Sequence, residues 1–215
     1  MLKLKLMLLT TLIACSAFAD GGLYMGLGAG YGTINTNTTN GFAYLDGASA
    51  KGGGNLAGGL MLGYDFNRYL GVQSDYDYIA NVQYTTGSSI PGVSGSFNGN
   101  QQLLDLGIIA HLPFILFSNN LSGLSLFAKL AIGYSFTNFI GGMVAATAAP
   151  ALQISLPANS SSLVPVAGLG IEYGVNSVGV RLEYDYIGNT TIVNNNQTLM
   201  NVQNSLTLLS VFYHF

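Results

Sequence analysis

The sequence predicts an all-β fold, an eight-stranded antiparallel up-and-down transmembrane β-barrel. Hydrophobic residues make up 49% of the chain and charged residues only 7%. Beyond the N-terminal region, however, no apolar run approaches the ~18 residues that a membrane helix needs. The apolar residues instead alternate with polar ones in many short segments, and alternate side chains of a strand point to opposite faces. A closed barrel explains both facts, because one strand face meets lipid and every backbone hydrogen bond is made between strands.

Eight segments carry this alternation, each about ten residues long, the length at which a tilted strand crosses a bilayer. They cover residues 22–34, 55–66, 69–79, 101–114, 124–137, 163–175, 178–188 and 203–215. The connections alternate between short ones, at 67–68, 118–123 and 176–177, and long ones, at 35–54, 80–100, 138–162 and 189–202. Tight periplasmic turns and longer surface loops are typical of outer-membrane barrels, so both termini are expected in the periplasm. The even strand number lets the sheet close without a free edge.

The N-terminus predicts secretion. Lys3 and Lys5 precede an apolar run, and Ala17-Phe18-Ala19 has the small-x-small form of a cleavage site. We therefore interpret residues 1–19 as a signal peptide and residues 20–215 as the barrel domain. In an alternative interpretation, Leu12-Ile13-Ala14-Cys15 is a lipobox and the only cysteine becomes a lipidated N-terminus.

The faces of the strands follow from the alternation. In the segment 178–188 the apolar residues Val178, Val180 and Leu182 are expected to meet lipid, while Arg181 and Glu183 face the lumen. The segments 69–79 and 101–114 have the same pattern. Aromatic residues gather near the expected strand ends and predict two interfacial girdles, namely Tyr64, Phe66, Tyr69, Tyr173, Tyr213 and Phe215 below and Tyr31, Tyr78, Tyr134, Phe136 and Tyr186 above.

The charge balance makes a nucleic-acid partner very unfavourable. Without residues 1–19, four basic residues remain beside nine acidic ones, which gives a net charge of −5. Nucleic-acid binding needs a basic surface that neutralises phosphates. No cofactor motif is present either: the spacing of Gly26, Gly28, Gly30 and Gly32 is that of a strand rather than of a phosphate loop.

The C-terminus and two internal segments resemble a known family. Leu209, Val211, Tyr213 and Phe215 form an alternating row like the closing strand of Gram-negative outer-membrane barrels. Residues 167–173 and 180–186 are similar to the sixth and seventh strands of the OmpA barrel. From Gly21 to Phe215 the chain resembles the eight-stranded OmpA-like or OmpX-like family, without a peptidoglycan-binding domain after Phe215. The resemblance implies an outer-membrane location and recognition of the terminal row by the barrel-assembly machinery.

The expected register brings opposite charges together in the lumen. A two-residue turn at 176–177 places Glu172 opposite Arg181, so we expect an internal ion pair. By resemblance, Arg181 matches a lumenal arginine whose salt bridges gate a narrow water path in the OmpA barrel. Lys129 is the other internal cation, and it could pair with Glu172, Glu183 or Asp105. The interpretation we favour is that these charges neutralise one another, because eight strands leave an interior only just wide enough for side chains.

Carboxylates are expected nearer the outer end of the lumen than the two cations. Asp75, Asp77 and Asp185 form a predicted acidic mouth, with Asp105 and Glu183 close to it. One hypothesis is that the mouth attracts cations or holds Ca²⁺ or Mg²⁺. We favour hydrated carboxylates without a metal, because their position alone does not establish convergent ligands.

The sequence offers little for an enzyme. His111 and His214 are both expected near periplasmic strand ends, and no nucleophile motif surrounds Ser210.

Three long loops are polar, whereas 138–162 begins with an apolar run, which indicates an interaction surface, a strand extension or a short helix. We therefore expect a structural scaffold that presents surface loops for envelope integrity or adhesion. Its partners would be outer-membrane lipid and lipopolysaccharide and, through the loops, a host or phage ligand. The alternative is a narrow pore for small cations or small apolar solutes.

Overall fold

The computed structural model describes residues 21–38, 51–87, 93–116, 118, 121–146, 149–152, 159–194 and 197–215. The predicted signal peptide, Cys15 and the central parts of several predicted loops lie outside these ranges. Among the residues described, no helix has the length and apolar character needed to cross a membrane.

The described chain forms one antiparallel sheet that closes on itself. Its strands are β1 (Leu23–Thr38), β2 (Lys51–Asn67), β3 (Leu70–Gly87), β4 (Val93–Pro113), β5 (Leu124–Ala146), β6 (Ala149–Leu152), β7 (Asn159–Val175), β8 (Val178–Asn194) and β9 (Gln197–His214). The order is β4-β3-β2-β1-β9-β8-β7-β5, and pairing of β4 with β5 closes the ring. The short strand β6 pairs only with β5, outside the ring. The predicted eight-stranded barrel is therefore confirmed.

The strands extend further toward the loop end than the sequence predicts. β5 continues to Ala146 rather than ending at residue 137, and β4 begins at Val93 rather than at residue 101. The predicted ends lie where apolar alternation stops, but backbone pairing continues through Asn, Ser and Gly residues because it does not require a lipid-facing side chain. In the apolar segment 138–162, β5 and β6 show strand extension, rather than a helix, for residues 138–146 and 149–152. Residues 147–148 and 153–158 lie outside the described ranges.

Two tight turns fix the opposite end. Asn176 has a φ of 55°, and its two-residue turn pairs Val175 with Val178. Asparagine adopts this left-handed conformation more readily than most residues. Between β2 and β3, the side-chain oxygen of Asn67 accepts hydrogen bonds from the backbone N–H of Tyr69 and Leu70, at 2.8 and 3.0 Å. These turns set the register that aligns the lumenal side chains.

The outer surface carries the apolar side chains. Leu209, Val211, Tyr213 and Phe215 lie in one exposed outward row on the last strand. Aromatic pairs occur at both ends of the strands: the rings of Tyr213 and Phe215 are 5.1 Å apart, and those of Tyr134 and Phe136 are 4.5 Å apart. This surface matches the lipid face that the alternation predicts.

Wall pairing ends at two opposite places toward the loop end. Among the described residues, β2 and β3 pair no further than Ala57 with Ile79, and β7 and β8 no further than Val166 with Ile187. The pairing of β3 with β4 shifts register just after Ile79, and the pairing of β8 with β9 shifts register just after Ile187. Above this level, the described wall strands form two groups, β3-β4-β5-β7 and β8-β9-β1-β2. We call the two unpaired boundaries between these groups, from β2 to β3 and from β7 to β8, the seams.

Candidate functional site in the barrel lumen

Arg181 closes the lumen near the turn end. It is 2% exposed, and its guanidinium carbon lies 4.5, 5.2 and 5.5 Å from the ring centres of Phe127, Phe212 and Tyr24. Three aromatic rings around one cation provide cation–π attraction and fill the cross-section. The sequence alternation places these residues on the lumenal face of four different strands.

Glu172 holds the guanidinium by two hydrogen bonds. Its Oε2 accepts from Nη2 of Arg181 at 2.7 Å and from Nε at 3.1 Å. The register indeed sets the two residues directly opposite each other. Because the pair is buried, its removal on one side leaves an uncompensated charge.

A polar network surrounds this pair. Oε1 of Glu172 accepts a hydrogen bond from the Ser125 hydroxyl at 2.7 Å and lies 2.7 Å from Nδ1 of His111. Nε2 of His111 is 3.4 Å from Oδ1 of Asp65. The serine thus contacts the carboxylate and not the imidazole, which is the wrong arrangement for a base-activated nucleophile.

On its other side, Arg181 reaches across the lumen. Its Nη1 donates to Oε1 of Gln73, which also accepts a hydrogen bond from the Tyr24 hydroxyl at 2.7 Å. His214 packs against Tyr24, with ring centres 5.2 Å apart, and against Phe212, at 5.4 Å. Both histidines therefore lie among lumenal side chains near the turn end.

Lys129 forms a second layer further toward the loop end. It is 1% exposed, and its Nζ is 2.8 Å from carboxylate oxygens of Asp75, Glu183 and Asp185. Asp105 is more distant, at 3.9 Å. We call Asp75, Asp77, Asp105, Glu183 and Asp185, the five carboxylates around Lys129, the acid cage. Of the three partners that the sequence suggested for Lys129, Glu183 and Asp105 are near it, whereas Glu172 binds Arg181.

The structure places the predicted acidic mouth inside the lumen. Asp75, Asp77 and Asp185 are 6%, 2% and 1% exposed, so they are buried rather than hydrated at an opening. The difference has a simple cause: the strands continue beyond the predicted ends, and the true loop end lies further from these residues.

An apolar layer covers the acid cage. Its members are buried and come from six of the eight strands of the ring: Ala57, Ile79, Leu103, Val164, Val166, Ile187 and Leu206. Polar side chains follow beyond it, including Gln101, which donates to the Ser135 hydroxyl at 2.9 Å. We call Arg181 and the side chains around it the arginine layer. From the turn end, the described lumen thus contains the arginine layer, the acid cage and the apolar layer, followed by these polar side chains.

An internal repeat underlies the acid cage, and the sequence reasoning above missed it. Residues 71–81 read GVQSDYDYIAN and residues 179–189 read GVRLEYDYIGN. These segments lie on β3 and β8, which are four steps apart in the eight-membered ring and so face each other. Asp75 corresponds to Glu183, and Asp77 corresponds to Asp185. A search for self-similarity along the chain would have identified this pairing.

A glycine faces the second aspartate in each copy of the repeat. Gly59 pairs with Asp77 and Gly168 pairs with Asp185 on the neighbouring strand. A Cβ at either glycine would collide with Oδ1 of the facing aspartate. Because glycine has no Cβ, each of these glycines leaves the space that the facing carboxylate occupies.

In the described part of the chain, no three or more His, Cys, Asp or Glu side chains are grouped as metal ligands. The acid cage contains enough carboxylates, but their oxygens are distributed around Lys129. It is an ammonium-centred cluster.

Comparison with known proteins agrees with this architecture. Residues 19–215 match the family model of the OmpA-like transmembrane domain. The chain is similar in fold to the outer membrane protein OprG from Pseudomonas aeruginosa, with a TM-score of 0.57 and 14% identity over 92% of this chain and 97% of that one. It is also similar to Neisserial surface protein A, with a TM-score of 0.52 and 16% identity over 91% and 99% of the two chains. No curated protein sequence matches significantly. The chain belongs to the family of OmpA-like transmembrane domains and is a Gram-negative outer-membrane β-barrel protein.

Proposed function

We propose that this protein is a structural scaffold of the outer membrane, whose closed barrel holds the outer strands and loops at the cell surface. The observation that carries this proposal is the filled lumen. The arginine layer, the acid cage and the apolar layer each consist of buried side chains drawn from opposite walls. An eight-stranded barrel has room for such side chains but not for a wide channel beside them.

The partners follow from the two exposed surfaces. The apolar outer face binds outer-membrane lipid, and lipopolysaccharide contacts its outer half. The alternate residues from Leu209 to Phe215 are exposed on the outside of the last strand, where the barrel-assembly machinery can bind them. The extended strands carry the loops away from the membrane, which suits contact with a host or phage surface.

A loop replacement tests this function. Residues 39–50 would be replaced by a short Gly-Ser turn, and residues 195–196 by Gly-Gly as a small control change. We expect both proteins to reach the outer membrane and to fold, as judged by heat-modifiable migration on gels. Binding to host cells or phage should fall only for the first variant. Equal binding by both, or failure of the first to assemble, would contradict the assignment of the loops to surface contact.

A narrow pore is the second candidate, and the two seams are the observation that favours it. Above Ala57 and Ile79, and above Val166 and Ile187, described wall strands are no longer paired. A small apolar solute entering a seam would meet the apolar layer at the same level. Uptake of an apolar dye by vesicles that contain the protein, and its loss when Leu103 is changed to Ser, would support the pore over the scaffold.

A further inference from the structure

The two seams leave the outer parts of β3 and β8 paired on one side only. Residues 82–87 of β3 pair with β4, and residues 190–194 of β8 pair with β9. Among the described residues, neither stretch has a strand partner on its other side. We call these two stretches the open edges. An edge of this kind presents a row of backbone N–H and C=O groups, to which another extended chain can add as a strand.

The same kind of bulge precedes both open edges. Between Ile79 and Val82, two residues of β3 face a single residue of β4. Between Ile187 and Thr190, two residues of β8 face a single residue of β9. A bulge bends its strand and increases the local twist, which turns the strand away from its other neighbour. Because both bulges lie at the end of the internal repeat, the open edges are equivalent parts of the fold.

The register shows which backbone groups of β3 face the seam. The backbone N–H of His111 on β4 is donated to the residue before β3. Alternate residues of β4, counted from His111, therefore point toward β3. They include Gly99, which pairs with Val82 beyond the bulge. The N–H and C=O of Val82 are thus directed to β4, whereas those of Gln83 and Thr85 face the seam.

The same count applies to β8. The backbone N–H of His214 on β9 is donated to the residue before β8. Alternate residues of β9 then point toward β8, and they include Val202, which pairs with Thr190. The N–H and C=O of Thr191 therefore face the second seam.

Both open edges lie beyond the lipid. Gln83 is five residues beyond Tyr78, and Thr191 is five residues beyond Tyr186. These two tyrosines belong to the predicted outer aromatic girdle, and such girdles lie at the membrane surface. A chain in the external solution can therefore reach both edges.

In each seam, the strand opposite the open edge has features that block strand addition. β2 begins with Lys51 and three glycines, and β7 carries Pro165 at the point where its pairing with β8 ends. Lysine and proline are typical of protected edges, and glycine weakens a strand. The open edges contain no charged residue and no proline, and most of their residues are β-branched or aromatic.

A second copy of the protein in the same membrane fits the open edges poorly. β3 and β8 both run from the turn end to the loop end, so the open edges of two copies meet in the parallel direction. Parallel pairs are less stable than antiparallel ones. Antiparallel pairing between copies needs β2 or β7, whose outer parts are protected. A chain from the external solution has no such restriction.

We propose that the open edges of β3 and β8 bind an extended polypeptide segment of a surface partner as an added antiparallel strand. This proposal rests on the scaffold function and names the kind of partner that the scaffold takes. Each barrel offers two equivalent sites. Recognition comes from backbone hydrogen bonds, so the partner needs an extended conformation more than a particular sequence.

A fluorescent peptide tests the sites. The probe is a short peptide of alternating threonine and valine with a fluorophore at its N-terminus, and fluorescence anisotropy measures its binding to the folded full-length barrel in lipid nanodiscs. The control peptide has the same sequence with N-methylated central residues, which cannot donate backbone hydrogen bonds. We expect two probe peptides per barrel and at least about tenfold weaker binding of the control. No binding of the probe, or equal binding of both peptides, would overturn the proposal.

Proline substitutions locate the sites. Thr85→Pro and Thr191→Pro each remove one N–H that faces a seam, and proline is tolerated at such an edge position. We expect each single variant to bind one peptide and the double variant to bind none. Thr85→Val with Thr191→Val keeps both N–H groups and should still bind two. Unchanged binding by the double proline variant, or loss of binding in the valine control, would overturn the proposal. The N-methylated peptide tests the same point if a proline variant does not fold.

Self-association is measured on the same proteins by size-exclusion chromatography without peptide. A dimer of the unmodified protein that the double proline variant no longer forms would assign the open edges to a second copy and overturn the choice of partner. The peptide assay depends neither on the loop 39–50 nor on conductance. Its failure therefore leaves the scaffold function standing, whereas channel openings would contradict the scaffold without changing peptide binding.

Discussion

Replacement of Lys129 by methionine should destabilise the barrel strongly. Methionine keeps the length and apolar stem of the side chain but removes the ammonium that lies 2.8 Å from three buried carboxylates. Removing one partner of a single buried ion pair costs about 3–5 kcal/mol. Since three carboxylates lose their partner together, we expect a loss in the upper half of that range, about 4–5 kcal/mol.

Equilibrium unfolding by urea in lipid vesicles measures this loss. The matched control is Leu130→Met, the next residue along β5, whose side chain is 71% exposed on the outer face. That change should cost less than about 1.5 kcal/mol. A Lys129→Met protein within about 1 kcal/mol of the unmodified one would refute the reasoning, because the acid cage would then not depend on its cation. Adding Glu183→Gln and Asp185→Asn to Lys129→Met should recover more than half of the lost stability, since these changes remove two of the carboxylates that lose their cation.

Three further substitutions test local features by the same unfolding measurement. Gly168→Ala places a methyl group against the Asp185 carboxylate and should cost about 1–3 kcal/mol, whereas Gly58→Ala, whose Cβ would meet only an ordinary contact at 3.7 Å, should cost little; equal effects would contradict the close approach. Asn176→Ala should cost about 1–2 kcal/mol because of the left-handed turn, and Asn176→Gly should not; a tolerated alanine would argue against this turn. Tyr24→Phe loses one buried hydrogen bond across the lumen and should cost about 1 kcal/mol, and a stabilised protein would contradict that bond.

The sequence predicts the barrel well because its strongest signal is local. Alternation along one strand, as in Val178, Val180 and Leu182 against Arg181 and Glu183, gives the lipid face and the lumen face together. The two-residue turn at 176–177 then fixes the register of β7 against β8. Such short-range constraints suffice to place Glu172 opposite Arg181.

The same reasoning cannot show which charges meet across the lumen. Asp75 and Lys129 lie on β3 and β5, which are not neighbours in the ring, so their contact depends on the closure and stagger of the whole barrel. The sequence also does not show where the strands end on the outer side, because residues that pair beyond the lipid boundary do not need alternating apolar side chains. The burial of Asp77 and Asp185 follows from both effects.

Single-channel recording in a planar bilayer tests the closed lumen most directly. The folded protein would be compared with Arg181→Ala, which removes the cation of the first layer, and with Val180→Ala, which changes its lipid-facing neighbour. We expect no discrete openings in any of the three, because the acid cage and the apolar layer still fill the lumen without Arg181. Openings in the unmodified protein, or openings that Arg181→Ala creates and Val180→Ala does not, would contradict the scaffold and make the barrel a gated pore.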